Sequence, residues 1–297
     1  MSAATTVDVC ICTFRRPSVV AAIASVAAQD LPPGVAVRLV VVDNDETPSA
    51  RDTVIEAGRV HGLPMLYVHA PARNISIARN AALAAADAPY LAFLDDDETA
   101  DPAWLSRLLA CGADQGADVV FGAVRAVYGA DLPTWVARAD LHTTPSPVRR
   151  DGAIVTGPAG NVLIRREVLG DLAFDLDLGR TGGEDTVFFH ELGRRGARFA
   201  YCPEALALEP VPEGRARLDW LLKRAFRSGQ THARLLIGQG ANRPLNLVLA
   251  VAKAAICTAD AGFHAFSPAG WRRRLVRAAL HAGASVRLAG FQDIRLY

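Results

Sequence analysis

In Tyr90-Leu-Ala-Phe-Leu-Asp-Asp-Asp-Glu98, a short apolar run ends in four consecutive acids. An uninterrupted apolar run of this length is typical of a parallel strand that is buried on both faces. In open α/β sheets, ligands bind beyond the carboxyl ends of such strands. We therefore expect residues 95–98 to face a binding site at the edge of a parallel sheet.

The three adjacent aspartates, Asp95, Asp96 and Asp97, repel one another unless a positive charge lies close to them. A hard divalent cation such as Mg²⁺ or Mn²⁺ prefers carboxylate oxygens and also binds phosphates. The alternative is a solvated acidic loop that precedes a helix, because Asp101-Pro102 resembles a helix N-cap followed by proline at the first helical position. The stretch by itself leaves both interpretations open.

The first half of the sequence alternates between short apolar segments and helical segments. Strands are predicted at 7–13, 37–43, 65–69 and 90–94, with helices ending near Gln29, at about 49–61, and from Arg79-Asn80 onward. This alternation predicts an α/β protein with a doubly wound, mainly parallel sheet. Further predictions are strands at 118–128, 162–164 and 197–202, a polar loop over 133–150, and a helix from Glu184 to about Gly196.

Composition predicts a folded protein of the cytoplasm. The 297 residues are 51% hydrophobic, which is enough to bury a large core. The first eight residues, ending at Asp8, contain neither the basic segment nor the apolar segment of a signal peptide. We therefore expect a cytoplasmic location.

Charge is divided unevenly along the chain. Residues 1–210 contain 18 Lys and Arg against 27 Asp and Glu, a net charge of −9, whereas residues 211–297 contain 14 against 4, a net charge of +10. A basic tail on an acidic body indicates an anionic partner, and the two obvious classes are a phospholipid surface and a nucleic acid. Few aromatic residues in the tail are available to stack on bases, so we do not expect a nucleic-acid partner.

The basic tail is predicted to consist of helices. From Trp271, apolar residues recur at helical spacing with arginines between them, a pattern typical both of a helix in the membrane interface and of a helix packed against its own domain. The apolar segment 245–257 has thirteen residues, too few to span a bilayer. We predict a catalytic domain over 1–212 and a helical basic extension over 213–297 that associates with the cytoplasmic face of the membrane.

Several phosphate-binding motifs are excluded. Lys223 and Lys253 are the only lysines and neither follows a glycine, so the chain has no Walker A loop. The first predicted strand is not followed by Gly-x-Gly-x-x-Gly, which argues against a dinucleotide site. A phosphate ligand would therefore have to be held by a metal ion and by arginines.

A second acidic cluster lies in Thr181-Gly-Gly-Glu-Asp-Thr186. The two glycines permit a tight turn, and a carboxylate at the start of the following helix lies near the positive end of its dipole. By itself this pattern is that of an ordinary helix cap. Combined with the triple aspartate, it favours a catalytic site.

The motifs taken together resemble those of the family 2 glycosyltransferases of the GT-A fold, especially bacterial polysaccharide and succinoglycan glucosyltransferase-like members. The matching segments, in order, are Val9-Cys-Ile-Cys-Thr-Phe-Arg-Arg-Pro17, Val40-Val-Val-Asp-Asn44, Arg79-Asn-Ala-Ala-Leu83, Phe93-Leu-Asp-Asp-Asp-Glu98, Gly160-Asn161 and Gly183-Glu-Asp185. The resemblance covers roughly residues 7–230 and implies a GT-A catalytic domain, with its nucleotide-binding half at about 1–100 and its acceptor-binding half at about 101–212.

The resemblance also implies a role for each matching residue. Thr13, Arg15, Asp43 and Arg79 would bind the nucleotide and its phosphates, and Asp95 and Asp96 would contact the ribose and metal-bound water. Asp97 would bind the divalent cation, with Asp95 close by. Some members have a metal-binding histidine after the base, and Glu209 takes the corresponding region here. Asp185 would be the general base, with Glu184 beside it.

The activity that follows is transfer of a sugar, with inversion, from a nucleoside-diphosphate sugar to a hydroxyl of a glycan or lipid-linked acceptor. A UDP-sugar is the expected donor, and Mg²⁺ or Mn²⁺ is the expected cofactor. One alternative is a nucleotidyltransferase that makes a sugar nucleotide, but Phe14-Arg-Arg-Pro17 lacks the glycines of its basic loop. The other alternative is a non-catalytic nucleotide- or glycan-binding module, which would bind the donor without turnover.

Overall fold

The computed structural model describes residues 5–144 and 146–294; Met1–Ala4, Pro145 of the predicted loop, and the last three residues of the tail lie outside the described residues. The strands are β1 (Thr5–Thr13), β2 (Val35–Asp43), β3 (Met65–His69), β4 (Tyr90–Leu94), β5 (Thr99–Ala100), β6 (Val119–Val127), β7 (Val148–Arg150), β8 (Ala153–Thr156), β9 (Asn161–Arg165) and β10 (Phe199–Pro210). The helices are α1 (Val19–Ala27), α2 (Arg51–His61), α3 (Ile75–Ala85), α4 (Trp104–Gln115), α5 (Thr134–Ala139), α6 (Glu184–Arg194), α7 (Leu218–Gly238), α8 (Arg243–Phe263) and α9 (Pro268–Leu288).

Eight strands form one sheet in the order β3-β2-β1-β4-β9-β6-β10-β5. Strand β1 pairs in parallel with β2 and β4, and β2 pairs in parallel with β3. The register places Thr13 opposite Asp43, and Cys10 opposite Phe93 near the end of β4. The residues that follow β1, β2 and β4 therefore leave the sheet at one edge, which confirms the predicted parallel sheet.

The antiparallel part of the sheet brings a distant segment to the same edge. Strand β9 runs antiparallel to β4, with Leu94 opposite Asn161. As a result, the backbone N–H of Asp95 donates a hydrogen bond of 3.2 Å to the carbonyl oxygen of Gly160.

Burial on both faces explains the almost continuous apolar runs of the central strands. In β1, Val9 and Ile11 belong to the core cluster on the α1 side, whereas Cys10 packs with residues of β2 and α3 on the other side. Fully burying one such Val or Ile side chain contributes about 1.5–3 kcal/mol to folding. Alternate residues therefore stabilise opposite faces of the same sheet.

Several predicted boundaries were wrong. Helix α3 begins four residues before Arg79, because the Asn74 side chain caps it by accepting from the backbone N–H of Ser76 at 3.0 Å. The region 133–150 is not a plain loop: it contains α5 and the β7 half of a hairpin. Strand β10 continues past Cys202 to Pro210.

The predicted N-cap at Asp101 is also shifted. Helix α4 starts at Trp104, with Ala103 as the capping residue, and Asp101 lies outside the helix. The Asp101 carboxylate accepts a hydrogen bond of 3.1 Å from the backbone N–H of Ala103. The acids at residues 95–98 are therefore separated from α4 by the short strand β5.

The chain forms two compact units. Unit 1 consists of residues 1–125, 144–180 and 184–209 and contains most of the sheet. Unit 2 consists of residues 126–143, 181–183 and 210–297 and contains α5 and the three long C-terminal helices.

In unit 2, helix α9 crosses α7 at a pair of glycines. A Cβ atom added to Gly229 would collide with the carbonyl oxygen of Leu280, and one added to Gly283 would collide with the carbonyl oxygen of Phe226. Only glycine at both positions lets the two backbones approach this closely. Helix α9 is thus a structural centre of unit 2, packed against both α7 and α8.

Several arginines of α9 pair inside unit 2. Arg273 donates to the carbonyl oxygens of Ala139 at 2.8 Å and Arg138 at 2.6 Å. Arg274 donates to a carboxylate oxygen of Asp260 at 2.7 Å. These contacts were not anticipated by the prediction of a basic helix facing an anionic surface.

Helix α8 is longer than the sequence predicted. It spans 21 residues, so the argument that a thirteen-residue apolar segment is too short to cross a bilayer was wrong about its length. In the part of the chain that the structure describes, α8 is the one helix whose length and composition match a membrane-crossing helix, a criterion that core helices and signal sequences also meet.

Candidate active site

Three loops of unit 1 meet at the carboxyl edge of the sheet, after β1, β2 and β4. The triple aspartate follows β4 directly, as the apolar run predicted. Asp96 is buried, and one of its carboxylate oxygens accepts a hydrogen bond of 2.8 Å from the Thr13 hydroxyl at the end of β1. The structure therefore brings together two of the predicted site residues that are 83 positions apart in the sequence.

Arg16 supplies positive charge to this cluster. Its Nη1 atom lies 2.8 Å from Asp96 Oδ1 and 2.6 Å from Asp97 Oδ2, so one guanidinium group contacts both carboxylates. Burial raises the pKa of Asp96 to about 6, while Arg16 and Thr13 act in the opposite direction. Arg16 thus offsets part of the cost of burying the Asp96 carboxylate and also pairs with the partly exposed Asp97.

Arg15, and not Arg16, was the arginine of this turn predicted to bind the nucleotide. In the structure, Arg15 has a positive φ of 55° and pairs with Asp45, its Nε donating at 2.8 Å. Adjacent arginines in a turn look alike in sequence, and only the backbone conformation decides which one turns toward the aspartates.

Arg79 is buried among carboxylates. Its Nη1 atom donates to Glu184 Oε1 at 2.5 Å, and its Nη2 atom lies 3.5 Å from Asp95 Oδ1. The guanidinium also lies over the Phe174 ring, 5.6 Å from its centroid. Burial alone would lower the pKa of Arg79, but the pKa is raised, because Glu184 and, to a smaller extent, Asp95 and Asp185 surround it.

We expect Arg79→Met to destabilise the protein by about 3–5 kcal/mol, because it leaves the buried Glu184 without this counter-charge. Denaturant unfolding measures the change in the free energy of unfolding. The matched control is Arg59→Met, which breaks a solvent-exposed pair with Glu56 and should leave the free energy of unfolding almost unchanged. Equal effects of the two substitutions would show that the buried pair has no special structural role.

Both carboxylate oxygens of Asp43 accept hydrogen bonds, from the loop after β2 and from β3. Oδ1 accepts from the backbone N–H of Asp45 at 3.0 Å, and Oδ2 accepts from Ala50 N–H at 2.8 Å and the Tyr67 hydroxyl at 2.9 Å. Burial, followed by this hydrogen bond, raises the pKa of Tyr67. Asp43 therefore shapes the loop after β2, and its contact with a nucleotide stays a prediction.

Asp185 lies in the first turn of α6. Its Oδ1 atom accepts from the backbone N–H of Thr186 at 2.6 Å, and the side chain is only partly buried. Glu184, by contrast, is buried against Arg79. The two acids of this motif thus differ in accessibility, which the sequence did not distinguish.

Glu98 is an acid that the sequence analysis did not assign. It is buried, and its Oε2 atom has no hydrogen-bond partner among the described residues. Burial, followed by the charges of Asp95 and Glu209, raises its pKa well above the ordinary value. Glu209 therefore lies close enough to Glu98 for their negative charges to repel each other. A Cβ on Gly160 would meet Glu98 Oε1 at 2.8 Å, so a larger residue there would displace the Glu98 carboxylate.

The acids after β4 do not form a complete set of metal ligands within the described residues. Within residues 5–144 and 146–294, no three His, Cys, Asp or Glu side chains converge as a complete set of metal ligands. Mg²⁺ is usually bound by one or two carboxylates together with substrate phosphates and water. The Asp96–Asp97 pair satisfies that requirement in its donor chemistry.

Two solved structures have the same fold. A mannosyltransferase from Pyrobaculum calidifontis, solved with GDP-Man and Mn²⁺, matches with a TM-score of 0.64 and 22% identity over 95% of this chain and 86% of its own. S. aureus TarS 1-349, solved with UDP-GlcNAc, matches with a TM-score of 0.57 and 16% identity over 92% of this chain and 90% of its own. The fold is therefore GT-A, as the motifs implied.

Sequence comparison gives a nearer relative. The succinoglycan biosynthesis protein ExoM of Rhizobium meliloti (strain 1021) is 45% identical over 296 residues, which cover 98% of this chain and 95% of that protein. The model of glycosyl transferase family 2 matches residues 8–173, a segment that includes the loops after β1, β2 and β4. The chain is a glycosyltransferase, and it belongs to glycosyl transferase family 2.

Proposed function

We propose that the chain transfers a sugar from a nucleoside-diphosphate sugar, with a UDP-sugar as the first candidate, to a hydroxyl of a glycan or lipid-linked acceptor. The observation that carries this proposal is the Thr13–Asp96–Arg16–Asp97 cluster at the carboxyl edge of the sheet. The names of the related proteins support a nucleotide-sugar donor and a role in bacterial polysaccharide biosynthesis. The family assignment argues against both alternatives, the nucleotidyltransferase and the non-catalytic module.

Asp97 is the residue proposed to hold Mg²⁺ or Mn²⁺, with Asp96 and Asp95 beside it. Bound there, the cation would supply Lewis-acid neutralisation of the departing diphosphate. The protein's own contribution is positive charge from Arg16, which lies within 2.8 Å of both Asp96 and Asp97. Glu209, near Glu98, is proposed to support the site through its charge.

Asp185 is the proposed general base. A partly exposed carboxylate at the start of α6 can reach an acceptor hydroxyl and take its proton. Glu184 is less suited to that role, because its ion pair with Arg79 stabilises the charged carboxylate and makes it a weaker base. We therefore assign Glu184 a positioning role in which it fixes Arg79 and, through it, Asp95.

Direct displacement at the anomeric carbon follows from this assignment. The base removes the hydroxyl proton as the acceptor oxygen bonds to the sugar carbon, and the bond to the diphosphate oxygen breaks. Attack from the side opposite the diphosphate inverts the configuration. No covalent sugar–enzyme intermediate is required.

A thermal-shift screen of sugar nucleotides tests the donor and metal proposals. At about 100 times its dissociation constant, a ligand that binds only the folded state adds about 2.7 kcal/mol of stability. We expect UDP-sugars, in the presence of Mn²⁺, to raise the unfolding temperature by about 5–10 °C. An equal shift with Mn²⁺ replaced by a chelator would contradict the metal assignment, and a shift with GDP-sugars alone would contradict the UDP assignment.

A further inference from the structure

Helix α8 carries an apolar stripe on its exposed side. The stripe recurs at helical spacing and consists of Leu245, Val248, Leu249, Ala252, Ala255, Ile256, Ala259, Gly262 and Phe263, and it is extended by Phe266 just beyond the helix. The most exposed members are Val248 at 65%, Ile256 at 66%, Phe263 at 86% and Phe266 at 100%. This is the reverse of a helix in a water-soluble domain, whose apolar side faces the core.

The opposite side of α8 is already occupied within unit 2. Ala250 and Ala261 are buried in the packing with the other long helices, and Asp260 on the same helix pairs with Arg274 of α9. The side of α8 with Ala250 and Ala261 thus faces its neighbouring helices, while large apolar side chains such as Val248 and Ile256 face outward. Contiguous exposed apolar surface of this kind marks an interaction site.

We propose that the outward stripe of α8 lies along the surface of a phospholipid bilayer, with its apolar side chains inserted at the headgroup boundary. A helix of 21 residues is about 31 Å long, so the whole stripe can contact lipid at once. Its members include no charged or hydrogen-bonding side chain that would fix the register of a protein partner.

An in-plane orientation follows from how α8 is packed. Helix α9 packs along α8 and carries Arg272, Arg273, Arg274, Arg277 and Arg287. If α8 crossed the bilayer, it would carry these arginines into the hydrocarbon, where each charge costs at least about 2.5–3.5 kcal/mol. Lying in the interface exposes only the apolar side to lipid.

Charge complementarity favours an anionic bilayer. Residues 211–297 carry 14 Lys and Arg against 4 Asp and Glu. Arg243 at the start of α8, Lys253 within it and Arg277 on α9 are exposed. Basic residues flanking an apolar stripe are the arrangement that binds anionic headgroups. This proposal rests on the surface of unit 2 and not on the proposed sugar transfer.

The test is co-flotation of the full chain with vesicles of phosphatidylcholine and phosphatidylglycerol. We expect the unmodified protein to float, and a large fraction to remain bound at about 0.5 M NaCl, because salt screens charges but not apolar contacts. Val248→Glu combined with Ile256→Glu should weaken vesicle binding by about tenfold or more, since two inserted side chains become charged. Circular dichroism should show an unchanged fold, because both positions are exposed.

The matched control is Ile55→Glu combined with Val60→Glu on α2, where Ile55 is 46% and Val60 is 63% exposed. This control should float like the unmodified protein. The proposal is overturned if the unmodified protein stays unbound at low salt, or if the α8 variant floats as well as the control. A third result would also overturn it. Light scattering would show that the unmodified protein and the control are dimers that do not bind vesicles, whereas the α8 variant is a monomer. The stripe would then be a self-association surface.

Discussion

Asp185→Asn should lower the turnover number by about 10²–10⁴-fold while leaving donor affinity and stability almost unchanged. The amide is nearly the same size as the carboxylate, so the first turn of α6 is preserved, but it cannot accept the acceptor's proton. If Asp185 only capped the helix, the substitution would cost about 1 kcal/mol or less of stability and turnover would persist.

The matched control for Asp185 is Glu191→Gln, on the same helix. Glu191 pairs with Arg194 and Arg195 on the exposed side of α6, so its loss should leave turnover within about twofold. The measurement is the initial rate of nucleoside-diphosphate release at saturating donor and acceptor, with the donor dissociation constant determined by calorimetry. Near-normal turnover of the Asp185 variant would remove it as the general base.

Asp97→Asn should abolish Mn²⁺-dependent donor binding, with a loss of affinity of at least about a hundredfold. Substituting a residue that merely hydrogen-bonds to a metal ligand already costs about 10–100-fold in metal affinity, so the loss of a ligand should cost more. Arg16 remains bonded to Asp96 in this variant, so the fold of the loop should survive.

Calorimetric titration of UDP with and without Mn²⁺ measures this effect. The control is Asp114→Asn, an exposed acid of α4, which removes the same charge from the protein away from the sheet edge. An unchanged difference between the two titrations in the Asp97 variant would show that the cation is held elsewhere.

The parallel half of the fold follows from local sequence. The bounds of β3 and β4 were predicted to the residue, because each is an apolar run bounded by polar or turn residues. The carboxyl-edge location of the acids then follows from the parallel register alone, since neighbouring strands must end on the same side. Burial on both faces leaves a strong sequence signal.

Elements that depend on distant partners were harder to predict. Strand β5 has two residues and exists because Thr99 pairs with Leu208 on β10. Strand β10 extends beyond Cys202 because its Ala207 and Leu208 pair with β5. The placement of 126–143 in unit 2 depends on packing such as that of Arg273 against Ala139, which no local pattern reveals.

The site was predictable in its residue types but not in its pairings. The Arg79–Glu184 pair joins residues 105 positions apart. Neither local motif indicates that these two side chains form a buried ion pair. Glu98 was the last member of an acidic run that could either face a binding site or be solvated, and its local sequence did not indicate that it is buried. Burial of a charged group depends on what the rest of the chain places over it.

The C-terminal helices show what the spacing of apolar residues cannot predict. Both α8 and α9 have an apolar stripe, and the sequence predicted membrane association for the whole basic extension without deciding which of its helices contacts lipid. In the structure, α9 packs between its neighbours, and the exposed stripe belongs to α8. Periodicity identifies an apolar face but not what that face contacts.

Transfer of a labelled sugar from donor to acceptor tests the proposed activity itself. The unmodified protein is incubated with Mn²⁺, with the donor selected by thermal shift, labelled in its sugar, and with a lipid and glycan extract of the cells that produce it. We predict transfer of label to an acceptor with an anomeric configuration opposite to that of the donor, and loss of this transfer in Asp185→Asn. Donor binding without transfer to any fraction, or transfer with retained configuration, would contradict the account.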